Sequence, residues 1–176
     1  ELLRRLEANR PVQLKYPVGT LLKSLDLSAV YYYGRDGSRH PFPDERVFRS
    51  WYTNFDGVRA VSQEDIASIA LGRSVSVRPA ARLIQFVSLN NDGTAYVVSD
   101  PSVYAVDRGS EIRHILTAEV AKQMYGEQYE LSIVPILETG FSRYIQGPAI
   151  VTADSYNKDG LLGSPPSIDD ELQIRF

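Results

Sequence analysis

The chain has no cysteine among its 176 residues. That excludes disulfides, thiol nucleophiles and cysteine-ligated metals. It has only two histidines, few for a metal centre or a Ser–His relay. It has no basic surplus: 19 Lys and Arg against 22 Asp and Glu give a net charge of -3. A nucleic-acid partner is therefore not expected. No apolar run approaches the roughly 20 residues that span a bilayer, so no membrane span is expected in this fragment. The start, Glu1-Leu2-Leu3-Arg4-Arg5, has neither an initiator Met nor a signal-peptide pattern. This points to a piece of a longer protein, and a missing leader does not speak against export. The 43% apolar content suffices for one compact domain or two small modules sharing a core.

One motif occurs twice. Val30-Tyr31 matches Val103-Tyr104, and Arg39-His40 matches Arg113-His114 after a one-residue slip in the turn. Trp51-Tyr52 matches Met124-Tyr125, Val61 matches Val134, and Leu71-Gly72 falls near Gln146-Gly147. Each copy is roughly 50 residues, the size of a supersecondary unit that needs a neighbour to bury its apolar face.

Residues 30–33 and 39–42 predict a hairpin around the Asp36-Gly37 turn signal. A helix from Asp44-Glu45 to about Tyr52 comes next, with Val47, Phe48 and Trp51 on its packing face. Residues 58–61 read as extended, and Ser62 with Asp65 as a capping pair for a short helix over 63–69. Residues 75–79 and 83–89 are strand-like. Residues 83–89 and 95–98 predict a connecting hairpin around 90–94. The second copy repeats the order: arms at 103–106 and 112–116, a helix from Thr117 to Tyr125, an extended stretch at 132–136 and a short helix over 140–145. Residues 1–9 predict a helix stopped by Pro11, and 172–176 a final strand. Residues 154–170 carry Gly and Pro165-Pro166 with few apolar residues.

The division expected is thus an N-terminal lead-in (1–18), a first copy (19–80), a connecting hairpin with the second copy (81–150), and a linker or loosely attached tail (151–176). The fold class expected is α+β: two pseudo-symmetric hairpin–helix repeats, their hairpins side by side around one core. That core would hold Val30, Phe42, Phe48, Trp51, Val103, Ile115, Val120 and Met124.

The repeat resembles one found in large exported or surface-layer-like proteins of small-genome, mostly uncultivated bacteria. The resemblance runs from Gly19 to Ile150. It rests on residues 30–37, Phe42-Pro43, Trp51-Tyr52, Phe55, Gly57-Val58, Leu71-Gly72, Arg78-Pro79 and Asp100-Pro101, then on 103–106, Arg113, 117–119 and Tyr125-Gly126. The chain departs from the pattern at His114, where the family has Trp, and 88–95 reads as an insertion. The resemblance implies an envelope or extracellular setting and no particular activity.

Candidate sites compete with plainer readings. His40 and His114, each after an Arg, could form a paired metal or anion site, or could mark a hairpin end copied by duplication. No Gly-x-Ser-x-Gly elbow supports a nucleophilic serine: Gly140-Phe141-Ser142-Arg143-Tyr144 lacks the last glycine. Asp65 and Asp107 are the acids a hydrolase reading would use. Asn90, Asp92, Asn157 and Asp159 sit in two Asn-x-Asp-Gly loops that resemble part of a calcium loop. Positions one and twelve, however, are Ser88 and Ser99 in one loop and Ser155 and Pro166 in the other. Plain turns explain both, and neither a metal nor any cofactor is expected. The aromatic content is the best binding hint: an exposed Tyr32 beside Tyr52 or Tyr125 could stack on sugars, or these rings could fill the core.

The leading expectation is a non-catalytic structural or interaction module of a larger cell-surface or extracellular protein. Its partners would be other copies of the parent protein or cell-envelope glycans. A carbohydrate or cell-wall binding module is the alternative, and a hydrolase the second alternative.

Overall fold

The computed structural model describes residues 13–98 and 100–174. Its class is α+β: two sheets with short helices between and around them. The helix expected at residues 1–9 lies outside the described residues.

The first sheet contains β1 (Leu21–Ser24), β2 (Val30–Tyr33), β3 (Arg39–Pro41) and β4 (Val58–Val61), in the order β3-β2-β1-β4. β1 runs antiparallel to β2 and parallel to β4. The parallel step needs a crossover, supplied by α1 (Glu45–Trp51). The side chain of Asp44 caps α1, accepting from the backbone N–H of Arg46 at 2.7 Å and of Val47 at 3.0 Å. After β4 comes α2 (Gln63–Ala67), capped by Ser62.

The second sheet is built from β5 (Leu83–Leu89), the two-residue β6 (Tyr96–Val97), β7 (Val103–Asp107), β8 (Glu111–Ile115), β9 (Ile133–Leu137) and β10 (Ile145–Gln146). The sheet runs β10-β8-β7-β5-β6 with β9 also paired to β5, and the run β8-β7-β5-β9 within it has the same strand senses as β3-β2-β1-β4. The crossover helix is α3 (Ala118–Tyr125), capped by Thr117 and ended at Gly126 with φ 89°. Residues 83–89 do form the expected hairpin with β6 around residues 90–94, Ser88 pairing with Val97 and Leu89 with Tyr96, but they are more than a connector. β5 is the central strand of the second sheet and occupies the place of β1. Nor do the two hairpins pair side by side, since each lies in its own sheet.

Register corrects two of the sequence matches. Leu21 pairs with Tyr32 and Val58, while Leu83 pairs with Ala105 and Ile133. Counting onward, Val61 corresponds to Ile136, not Val134. Tyr32 faces His40 and Ala105 faces Arg113, so His40 corresponds to Arg113 and Pro41 to His114. One residue of slip reverses the sheet face. The Leu71-Gly72 match with Gln146-Gly147 agrees with register: Gly72 donates to the Arg39 carbonyl and Gly147 to the Ile112 carbonyl, both at 2.9 Å.

Strand alternation sorts the apolar residues into layers rather than one core. Tyr16, Leu22, Tyr33, Val61, Ile66 and Ile69 cover the outer face of the first sheet. A central cluster joins that sheet's other face (Leu21, Tyr32, Phe42) to Val47 and Phe48 of α1 and to Ile84, Tyr104 and Val134 of the second sheet. The far face of the second sheet (Leu83, Ala105, Ile115) packs with Val120 and Met124 of α3 and with Ile150, Tyr156 and Leu161. The eight residues expected to share one core are thus split: Val30, Phe42, Phe48 and Trp51 lie centrally, while Val103, Ile115, Val120 and Met124 lie on the far face.

The segment expected to be a linker or loose tail is packed. It forms α4 (Lys158–Gly163) and α5 (Ile168–Glu171), and Ile150, Tyr156, Leu161, Ile168 and Leu172 are buried. Residues 172–174 form no strand. Residues 140–145 are a 3-10 turn leading into β10, and residues 75–78 belong to no strand while residue 79 begins a turn.

Candidate functional site

The densest buried polar arrangement lies where α5 crosses the two hairpin turns. Ser167 and Asp170 close a capping box that starts the helix, and Ile168 and Leu172 anchor it in the central cluster. Between these anchors two acids point into the protein, each only 2% exposed. Asp169 accepts from the Tyr32 hydroxyl at 2.5 Å and from the backbone N–H of Arg35, in the first turn, at 2.8 Å. Glu171 accepts from the backbone N–H of Gly109 at 3.0 Å and of Ser110 at 2.8 Å, in the second turn. Gly109 and Ser110 both have positive φ, 70° and 60°. Successive N–H groups so turned form a concave nest for an anion.

Each carboxylate therefore ties the same helix to a different sheet. Burial pushes the Glu171 carboxyl above its ordinary range, and the two turn N–H groups offset only part of that. Burial, then the bond to Asp169, pushes the Tyr32 phenol far above the usual tyrosine value. The Arg35 guanidinium sits 3.6 Å from both Asp169 and Asp170. With their oxygens engaged by protein donors, Asp169 and Glu171 suit a latch better than proton transfer to a substrate.

The tyrosines expected to form an exposed face do not. Tyr32 is 6% exposed and hydrogen-bonded to Asp169. Tyr52 stacks on Phe48 at 5.2 Å in the same cluster. Tyr125 packs on the far-face cluster, donates to the Ala80 carbonyl at 3.2 Å and lies under the Lys158 ammonium at 4.5 Å. Three rings in two layers make no common platform.

The calcium-loop residues serve their own turns. Asn90 and Asp92 accept from the Thr94 N–H at 2.9 and 3.0 Å. Asn157 caps α4 through the Gly160 N–H, and Asp159 lies in the first turn of that helix. Among the described residues no group of three or more His, Asp or Glu could hold a metal ion. The two histidines are not a pair: His40 is buried, bonded to the Arg73 carbonyl at 2.8 Å and to Asp36 at 3.2 Å. His114 leans on the Tyr104 ring. Asp65 pairs with Lys15 at 2.6 Å, and Asp107 accepts from the Arg108 N–H at 2.8 Å.

Asp169 and Glu171 lie in the stretch whose composition reads as linker or tail. Two signals mark them: Ser167-x-x-Asp170 has the same spacing as Ser62-x-x-Asp65, and Ile168 and Leu172 lie four apart on one helix face.

No family model matches the chain, and neither a curated protein nor a solved structure shows significant similarity to it. No helix among the described residues is long and apolar enough to cross a membrane.

Proposed function

We propose that this chain is a non-catalytic structural and interaction module of a larger cell-surface or extracellular protein, made of two copies of one strand–hairpin–helix–strand unit stacked in the same sense. One observation carries the reading. The α1 side of the first sheet is covered by the second sheet, while the α3 side of the second sheet is covered by the C-terminal segment that holds Ile150, Tyr156 and Leu161. Units that complete their cores with the next segment belong to the physics of stacked repeats. The extracellular setting is supported by the repeat's resemblance alone. The partners fitting this role are other copies of the parent protein.

The test is a glycan and peptidoglycan array with and without calcium, run beside a hydrolase substrate panel. The expected result is no specific retention and no turnover. Retention lost in Tyr52→Ala would replace this reading with carbohydrate binding. Turnover lost in Asp65→Asn or Asp107→Asn would replace it with hydrolysis.

A further inference from the structure

Beside the latch lies a pocket of about 260 Å³ lined by Arg73, Ser74, Ser110, Ser142, Arg143 and Leu172. Four separate stretches of chain converge there: the one after α2, the second hairpin turn, the 3-10 turn before β10, and the end of α5. Its charge is one-sided. Among the described residues neither guanidinium has a carboxylate within ion-pair distance. Arg73 donates one N–H to the Leu172 carbonyl, and a guanidinium carries five donors. Glu171, next to the lining residue Leu172, is turned into the N–H groups of Gly109 and Ser110. The Ser110 hydroxyl donates to Ser76 at 3.0 Å. That leaves Ser74 and Ser142 as the hydroxyl donors the pocket offers.

Two guanidiniums lining one small pocket repel each other unless an anion lies between them. Planar forks flanked by hydroxyls match a tetrahedral oxyanion, to which Arg donates in pairs. The volume is several times the roughly 30 Å³ share of one water, which leaves space for a substituent on that oxyanion. We propose that this pocket binds a phosphate or sulfate group, as the free ion or as a monoester. The site goes beyond the module reading above and does not depend on it.

Titration calorimetry on the intact chain, in an anion-poor buffer at constant ionic strength, tests this with inorganic phosphate, inorganic sulfate, glycerol phosphate and chloride. The expected result is saturable heat with the three oxyanions and none with chloride. Arg143→Gln weakens that binding roughly tenfold or more, the usual cost of a lost charge-assisted pair. Ser142→Ala weakens it less. Among the described residues Arg143 makes no ion pair, and an unchanged circular dichroism spectrum verifies that Arg143→Gln is folded. Tighter binding of glycerol phosphate would mark a phosphorylated partner as the source, and equal affinities the free ion. Chloride matching the oxyanions, or Arg143→Gln binding like the parent chain, overturns the proposal.

Discussion

Gly72→Ala and Gly147→Ala change corresponding positions in the two sheets, yet their consequences should be opposite. Neither glycine has a positive φ, so alanine strains neither backbone. A Cβ on Gly72 would lie 2.3 Å from His40 Cε1 and 2.5 Å from Nδ1. The imidazole has little room to retreat, because it is buried and both ring nitrogens are held, by the Arg73 carbonyl at 2.8 Å and by Asp36 at 3.2 Å. Overpacking costs about 1–3 kcal/mol, and displacing the ring from the Arg73 carbonyl adds about 1–3 kcal/mol. Against this stands a gain of about 0.4–1 kcal/mol from a stiffer unfolded chain. The net destabilisation expected for Gly72→Ala is about 1–6 kcal/mol, or roughly 2–20 °C in Tm at this size.

At Gly147 the colliding atoms all belong to the Glu111 side chain, Oε1 at 2.1 Å, Cδ at 2.4 Å and Cγ at 2.7 Å. Glu111 is only half-buried, and its side chain can rotate as a whole about the Cα–Cβ bond into water. The unfolded-state gain then dominates, and Gly147→Ala is expected to be neutral or stabilising by up to about 1 kcal/mol. Urea unfolding followed through Trp51 fluorescence reads both variants, with an unchanged m-value as the check that only stability moved. In a His40→Ala background the Gly72→Ala penalty should largely vanish, since a double-mutant cycle isolates the contact. Equal midpoints for the two alanine variants, or a penalty that survives removal of the imidazole, would refute the reasoning.

The latch and the layers carry further expected outcomes. Ending the chain at Ser164 removes Ile168 and Leu172, which are 3% and 6% exposed. The loss expected is about 3–6 kcal/mol by burial, whereas a loose tail would leave the melting curve unmoved. Tyr32→Phe strands a buried carboxylate oxygen of Asp169 and should cost about 1–3 kcal/mol in urea unfolding. Because burial raises the Glu171 carboxyl in the native state, the folded form holds its proton longer than the unfolded form. Its contribution is full below the ordinary glutamate range and is lost as pH rises through the raised native value. Glu171→Gln should therefore flatten that part of a stability–pH curve, and an unchanged slope would count against the assignment. Calcium should leave the Tm where it is, because Asn90 and Asp92 already serve Thr94; a rise abolished by Asp92→Ala would show otherwise.

How much of this architecture can be read from the residues depends on the range of the physics involved. Caps and turns are local, and Asp44, Ser62, Thr117 and Gly126 stand where their side chains or φ angles require. Register is not local. The matching Arg-His pairs suggest one shared position, but Tyr32 with His40 and Ala105 with Arg113 span the same distance, so the turn absorbs no slip; the second Arg-His pair sits one place further along its arm, which puts His40 inside and His114 on the opposite face. Tyr32 illustrates the same limit. Alternation shows that it faces away from Tyr31 and Tyr33 without showing which face is wet. The answer comes from α1 on that face and from Asp169, which is 137 residues away in sequence. An acid so distant has no periodic signature. Asp169 and Glu171 instead alternate with Ser167-x-x-Asp170 on a helix of only four residues, too short to show amphipathic period on its own. What makes that helix is the pair of hairpin turns beneath it, whose N–H groups face away from their own ladders and need acceptors. Two turns in two sheets, spanned by one helix with one acid for each, tie the units together where no strand does. The latch is therefore a property of the two sheets together, and neither sheet's residues contain it alone.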